Sequence, residues 1–199
     1  MDVTAKNIIE KDSINVSRNT PIGLVVGAAG FLGSNLCQKL LSENIQVIGV
    51  DNLSTGKKEN LKECIKQNKF HFLDEDAANL KITLPRLDYL FITAGIGWDL
   101  NNVLDLTKKH QSKVVFVSSI ELYSREVNSE LVWYKKTESE LARFAATNKL
   151  NARVVRLAAL YGPGMHFRVE DPSVRLIQAA LLQELPKEMS LDFSSRALF

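Results

Sequence analysis

Three glycines spaced three residues apart, Gly27, Gly30 and Gly33, follow an apolar run and precede an amphipathic stretch. Glycines at such a turn let backbone N–H groups approach a pyrophosphate, and the positive end of the following helix stabilises its charge. An acidic residue about 20 positions further on accepts the ribose hydroxyls in such sites. Asp51 lies at that place, and its carboxylate favours NAD because it repels the 2′-phosphate of NADP. A tight turn with incidental glycines is the competing interpretation.

Short apolar runs rich in Val, Ile and Phe alternate with amphipathic stretches, and they predict the elements that position this turn. Strands are expected at residues 22–26, 46–50, 70–73, 89–93, 113–117 and 153–157. Helices are expected at residues 31–41, 57–67, 102–109, 131–147 and 172–185. Strands that are apolar throughout suit a parallel sheet covered on both faces. The pattern therefore predicts an open α/β sheet with right-handed crossovers.

Composition excludes several classes of protein. The chain has 199 residues, a formal net charge of +2 and 45% hydrophobic residues, which is typical of a soluble globular protein and gives no electrostatic argument for nucleic acid. No apolar run approaches the ~18 residues of a membrane helix. The first residues intersperse charges and do not resemble a secretory signal. Cys37 and Cys64 form no close pair, which favours the cytoplasm, and the scattered histidines predict no metal site.

Several short segments, met in a fixed order along the chain, resemble motifs of the extended short-chain dehydrogenase/reductase family. That family includes nucleotide-sugar epimerases, dehydratases and decarboxylases. The matching segments are GAAGFLG at 27–33, DNLSTG at 51–56, DA at 76–77, TAG at 93–95, VSSIELY at 117–123 and RLAALYGPG at 156–164.

The resemblance implies a Rossmann-type doubly wound parallel sheet with a truncated substrate lobe, NAD as cofactor and a nucleotide-sugar substrate. Residues 1–21 are then an N-terminal extension, 22–164 an NAD-binding domain and 165–199 a partial substrate-binding region. The residues that the resemblance places around the cofactor are Gly27, Ala29, Gly30, Phe31, Leu32, Gly33, Asp51, Asn52, Ser54, Asp76, Ala77, Ala94 and Gly95.

The resemblance also implies catalytic and substrate-binding residues. Ser119 falls on the family's catalytic Ser or Thr, whose hydroxyl bonds the sugar group that gains or loses hydride. Glu121 matches an acid of the dehydratase branch, with a solvated glutamate as the alternative. Arg196 is expected to meet a substrate phosphate, or else to be a surface arginine. Tyr134 and Lys136 are the candidates for the family's proton-transfer pair.

The proton-transfer motif itself departs from the family's Tyr-x-x-x-Lys. Spacing i, i+4 places both side chains on one helix face, where an ammonium favours the phenolate of a tyrosine whose free pKa is ~10. Tyr134 is followed four residues later by Glu138, whose carboxylate has the opposite effect. In a second register Lys136 and Glu140 match the family's Lys and Glu, and Val132 takes the tyrosine position. Lys136 lies about 200° around the helix from Tyr134.

Two functions follow from these observations, and the sequence leaves both open. The first is an enzyme that acts on a nucleotide-linked sugar by transient hydride transfer. The second is a catalytically impaired dinucleotide-binding module that serves as a sensor, scaffold or partner subunit. A truncated product of a longer enzyme is a third interpretation. The resemblance implies a homodimer, although the stretch between Ala94 and Val114 is shorter than the family's loop and helix, which contribute to dimer packing.

Overall fold

The computed structural model describes residues 19–95, 97–125, 128–158 and 160–165. Its strands are β1 (Ile22–Val26), β2 (Gln46–Asp51), β3 (Phe70–Asp74), β4 (Tyr89–Ile92), β5 (Lys113–Ser119) and β6 (Ala152–Leu157). Its α-helices are α1 (Phe31–Ser42), α2 (Lys62–Ile65), α3 (Asn101–His110) and α4 (Ser129–Asn148). Short 3₁₀ turns lie at Lys58–Leu61, Ala77–Asn79 and Ile120–Tyr123.

The six strands form one parallel sheet in the order β3-β2-β1-β4-β5-β6. The chain runs outward from β1 to β3 and then returns to β4 on the other side of β1. This reversal of strand order opens a crevice at the carboxyl ends of β1 and β4, which is where open α/β sheets bind ligands. The predicted doubly wound Rossmann-type sheet is therefore confirmed.

Helices cover both faces of the central strands, and the alternation of side chains explains how. Val25 of β1 packs in a cluster with Cys37 and Leu41 of α1, whereas Leu24 packs in a second cluster with Leu141 of α4. All of β1 is buried. Because successive side chains point to opposite faces, an apolar run of this kind fits only a strand between two helical layers.

The segment predicted as one helix at 57–67 is shorter and less regular in the structure. A 3₁₀ turn, Lys58–Leu61, leads into the single helical turn of α2. The Lys57 N–H donates to the Ala29 carbonyl at 3.0 Å, and the Asn60 side chain donates to the same oxygen at 2.9 Å. These bonds hold the segment against the glycine turn, so tertiary contacts override its helical pattern.

Several predictions fall outside the described residues. They are most of the extension at 1–21, the helix at 172–185, Arg196 and nearly all of the region at 165–199. Within the described residues, no helix has the length and apolar character needed to cross a membrane.

Candidate functional site

The glycine turn joins β1 to α1, and two of its glycines leave no room for a side chain. Gly27 has φ +83°, and a Cβ added there would lie 2.5 Å from the Ala94 nitrogen. A Cβ added at Gly33 would lie 2.0 Å from the Gly27 carbonyl oxygen. Both separations are far below van der Waals contact. The turn, the first turn of α1 and the end of β4 therefore pack backbone against backbone.

The amino end of α1 provides backbone N–H groups that can bind an anion at this site. Gly30 is the N-cap in extended conformation and provides no side-chain cap. The N–H groups of Phe31 and Leu32 have no acceptor among the residues that the structure describes. Unpaired N–H groups at a helix start, together with the helix dipole, form an anion site. A turn whose glycines carry no side chain, followed by this helix start, fits the pyrophosphate of a dinucleotide.

Asp51 ends β2 beside the turn, and its carboxylate is held in place from two sides. One oxygen accepts from the Ala29 N–H at 2.9 Å and the other from the Leu53 N–H at 2.8 Å. A Cβ at Gly56 would lie 2.9 Å from both carboxylate oxygens. A carboxylate has about four lone-pair positions, so it can accept further hydroxyl groups while fixed in this way.

The next predicted cofactor residues lie together at the carboxyl ends of β2 and β3. The Asn52 side chain accepts from the Ser54 N–H at 3.1 Å and approaches a carboxylate oxygen of Asp76 at 3.5 Å. Asp76 caps a 3₁₀ turn by accepting from the Ala78 N–H at 2.9 Å, and Ala77 is buried there. Polar groups and a small apolar residue thus line one side of the crevice.

On the other side of the crevice, β4 is bonded to the glycine turn. The backbone N–H and hydroxyl of Thr93 both donate to the Val26 carbonyl, at 2.9 and 2.8 Å. Ala94 follows in direct contact with Gly27. A Cβ added at Gly95 would meet no atom within 4 Å, so the chain is open to its surroundings at this point.

Ser119 is the last residue of β5, at the same carboxyl edge of the sheet. Its hydroxyl oxygen accepts from the Glu121 N–H at 3.1 Å and caps the 3₁₀ turn Ile120–Tyr123. Ser119 is half-buried and Glu121 is exposed. A serine hydroxyl that accepts one bond retains its own proton to donate, so Ser119 can donate a hydrogen bond to an oxygen of a bound ligand.

Tyr134 and Lys136 are positioned differently on α4. The Tyr134 ring is half-buried and packs on Phe116 and Trp133, with ring centroids 6.2 and 5.4 Å away. The Lys136 side chain is 71% exposed, with its ammonium 3.7 Å from the Glu140 carboxylate. Lys136 and Glu140 line a groove of about 760 Å³ between α3 and α4, which Tyr134 does not line.

The position four residues after Tyr134 carries an ion pair that the sequence analysis does not predict. Arg156 of β6 donates two hydrogen bonds to the Glu138 carboxylate, at 2.9 and 2.6 Å. These bonds hold the pKa of Glu138 below its usual range and raise the pKa of Arg156. The Arg156 guanidinium also lies over the Tyr123 ring, 4.8 Å from its centroid. The pairing joins residues far apart in sequence, and only the place of Arg156 at the start of its motif hinted at a role.

Two asparagines that the sequence analysis missed connect the glycine turn to the loop after β6. The Asn35 amide donates to the Phe31 carbonyl at 2.8 Å and to the Pro163 carbonyl at 3.0 Å. A Cβ at Gly164 would lie 3.1 Å from the Asn60 amide oxygen. The YGPG segment therefore lies against the start of α1, and its glycines permit the close approach.

Strand order, glycine turn and fixed Asp51 together define a Rossmann-type dinucleotide-binding protein. Residues 23–192 match the model of the NAD dependent epimerase/dehydratase family. The chain belongs to that family, whose cofactor is NAD.

Individual relatives share limited identity with the chain. A UDP-glucose 4-epimerase of Mycolicibacterium smegmatis is 43% identical over 60 residues, 30% of this chain and 19% of the relative. UDP-glucuronic acid decarboxylase 3 of Arabidopsis thaliana is 28% identical over 177 residues, 72% of this chain and 52% of the relative. The crystal structure of a UDP-glucose 4-epimerase of Thermotoga maritima with UDP-glucose has a TM-score of 0.67 at 24% identity, covering 82% of this chain and 64% of that one. The chain thus spans about half the length of the decarboxylase.

Proposed function

We propose that this chain binds NAD across the carboxyl ends of β1, β2 and β4. The observation that carries the proposal is the Asp51 carboxylate, held 2.9 Å from the Ala29 N–H of the glycine turn. In this position a ribose diol can donate to the carboxylate. The pyrophosphate can accept from the N–H groups of Phe31 and Leu32, which bond to no acceptor within the described part of the chain. The negative charge of Asp51 selects against a 2′-phosphate.

The proposed substrate is a nucleotide-linked sugar, in keeping with the names of the relatives. NAD, when bound, supplies a hydride acceptor and returns the hydride later in the reaction. Ser119 orients the reacting sugar hydroxyl, with Glu121 beside it, and Tyr134 accepts the hydroxyl proton. Region 165–199, with Arg196, contributes to substrate binding. A homodimer and a cytoplasmic location belong to the same proposal, and the free thiols of Cys37 and Cys64 are in keeping with that location.

Calorimetric titration of the full chain with NAD and with NADP tests the cofactor. We expect NAD to bind and NADP to bind much more weakly. Asp51→Asn should weaken NAD binding about ten- to a hundredfold, because hydrogen bonds to a charged group contribute ~1.5–3 kcal/mol. Asp74→Asn is the matched control, since Asp74 pairs with Asp51 across β2 and β3 and is exposed. Equal affinities for NAD in the Asp51 and Asp74 variants would contradict the proposed role of Asp51.

Turnover is tested separately on the full chain with NAD. A panel of UDP-, GDP- and dTDP-sugars, including UDP-glucose and UDP-glucuronic acid, is incubated and analysed by mass spectrometry and NMR. The enzyme proposal predicts an epimerised, dehydrated or decarboxylated product from at least one sugar. It also predicts that Ser119→Ala removes most of that activity. NAD binding with no product from any member of the panel would refute catalysis while leaving cofactor binding in place.

The ion pair of Glu138 supports the second function, a dinucleotide-binding module without catalysis. The carboxylate stands four residues after Tyr134 and is joined to Arg156, while Lys136 is joined to Glu140 beside a different groove. No ammonium therefore accompanies Tyr134 at the i+4 position. This function predicts NAD affinity without turnover, and a cofactor site of this kind suits a sensor, scaffold or partner subunit.

A further inference from the structure

An exposed tyrosine stands at the carboxyl edge of the sheet, next to Ser119. Tyr123 ends the 3₁₀ turn that Ser119 caps, and it is 74% exposed. Single exposed apolar side chains are common and need no explanation. Tyr123 differs because the guanidinium of Arg156 packs on one face of its ring, and hydrogen bonds to Glu138 fix that guanidinium.

The Arg156 guanidinium lies over the Tyr123 ring, 4.8 Å from the centroid. Its position is fixed by two hydrogen bonds to Glu138, whose side chain is only 14% exposed. A bidentate pair of this kind restricts the orientation of the guanidinium plane. Arg156 of β6 and Glu138 of α4 thus hold one aromatic ring. An arrangement on rigid elements is what a preorganised binding surface requires.

The location of the ring is set by strand register. Ser118 pairs with Arg156, and Ser119 pairs with Leu157, so β5 and β6 end side by side. Tyr123 follows the first of these strand ends, and Arg156 lies in the second. Ligands of open α/β sheets bind outside the carboxyl ends of the strands. The exposed Tyr123 ring therefore lies at the carboxyl edge of the sheet, four residues after Ser119.

We propose that the Tyr123 ring is a stacking platform for the sugar ring of the nucleotide-linked substrate. One face of a pyranose presents C–H groups with partial positive charge, and the face of an aromatic ring is negative. Stacking holds the sugar by its apolar face and leaves the hydroxyl groups at its rim free to bond Ser119. Arg156 and Glu138 act through Tyr123 as positioning residues. This inference rests on the proposed nucleotide-sugar substrate and deepens it.

The test uses the full chain saturated with NAD and calorimetric titration. The ligands are the sugar nucleotide of the panel that binds the unmodified chain most tightly and its free nucleoside diphosphate. Tyr123→Ala removes the ring, Tyr123→Phe keeps it, and Ile65→Ala removes an exposed apolar side chain elsewhere in the chain. Because Tyr123 is exposed, its substitution leaves the packed core intact.

We expect Tyr123→Ala to weaken binding of the sugar nucleotide about three- to tenfold, the usual effect of one aromatic contact. The affinity for the free nucleoside diphosphate should be the same in Tyr123→Ala and in the unmodified chain. Tyr123→Phe and Ile65→Ala should bind the sugar nucleotide as tightly as the unmodified chain does. Unchanged affinity of Tyr123→Ala for the sugar nucleotide would overturn the stacking platform and leave the proposed function in place. The same conclusion would follow if Tyr123→Ala weakened binding of the free nucleoside diphosphate as much as binding of the sugar nucleotide. If no sugar nucleotide binds the unmodified chain, the substrate class and the platform both fall.

Discussion

At Gly33 a single added carbon, the Cβ of alanine, is too large for the glycine turn. Alanine is ordinarily better in a helix than glycine by ~1 kcal/mol. A Cβ at Gly33, however, would lie 2.0 Å from the carbonyl oxygen and 2.8 Å from the carbonyl carbon of Gly27. Those atoms belong to backbone and cannot rotate away. We expect Gly33→Ala to lower the free energy of unfolding by about 1–3 kcal/mol, measured by urea denaturation, and to abolish NAD binding.

Gly95→Ala is the control for the stability measurement. A Cβ there meets no atom within 4 Å, and Gly95 is not among the glycines with positive φ. We expect its stability to match the unmodified chain within ~0.5 kcal/mol. Equal losses at the two positions would show that glycine content, rather than the contact with Gly27, governs stability.

The ion pair between Glu138 of α4 and Arg156 of β6 determines the effect of a substitution at Glu138. Replacing Glu138 by lysine gives Tyr134 the family's i+4 spacing, but it places an ammonium where Arg156 now donates two hydrogen bonds. Two cations then face each other, and the guanidinium loses its acceptor. We therefore expect Glu138→Lys to lower Tm and to give no more turnover than the unmodified chain. A large gain in turnover over the unmodified chain, measured on the sugar panel, would show that the Tyr-Lys spacing limits the enzyme.

The same pair predicts a pH dependence with a defined sign. Bonding to Arg156 lowers the pKa of Glu138 in the folded chain from its ordinary value of 4.5. A lowered folded pKa contributes stability above the unfolded pKa, and that contribution is lost as pH falls through the folded value. The Tm difference between the unmodified chain and Glu138→Gln should be largest near pH 7 and shrink below about pH 4. A difference that grows at low pH would contradict this assignment.

Packing between α1 and α2 predicts the behaviour of the two thiols. Cys37 and Cys64 are buried in one cluster, where burial raises the pKa of Cys37 and raises that of Cys64 to about 11. Only a thiolate reacts with a disulfide reagent. At pH 8 we expect no modification of the native chain by Ellman's reagent over minutes and two equivalents in urea. Rapid native modification would mean that α2 opens readily from α1.

The elements differ in how much their own sequence determines them. The predicted core of each strand and of α1, α3 and α4 agrees with the structure within a few residues, because apolar periodicity is a local signal. The segment 57–67 departs because its backbone and Asn60 bond to Ala29 across the turn. The glycines and Asp51 could be read from spacing alone. The partner of Glu138 could not, because the bond to Arg156 depends on how α4 packs on β6.

For the whole molecule, binding of NAD should appear as added stability. A ligand that binds only the folded chain stabilises it by RT ln(1 + [L]/Kd), about 2.7 kcal/mol at a hundredfold excess over Kd. For a chain of this size that raises Tm by roughly 5–10 °C. The chain spans about half the length of the decarboxylase relative, yet the turn, Asp51 and the β4 end all lie within the described part. The shift should therefore appear without any added partner.

Differential scanning calorimetry of the full chain with NAD, NADP or neither measures that shift. NADP should raise Tm much less, because its 2′-phosphate meets the Asp51 carboxylate that is fixed against Ala29. Asp51→Asn should reduce the rise in Tm that NAD causes, because it removes the charged acceptor. It should also reduce the difference in Tm between the NAD and NADP samples, because it removes the charge that repels the 2′-phosphate. Equal shifts with NAD and NADP in the unmodified chain would mean that the 2′ position points away from Asp51. The adenosine ribose would then lie elsewhere along the carboxyl edge of the sheet. In that case the prediction that Asn52, Ser54 and Asp76 bind the cofactor would also be wrong.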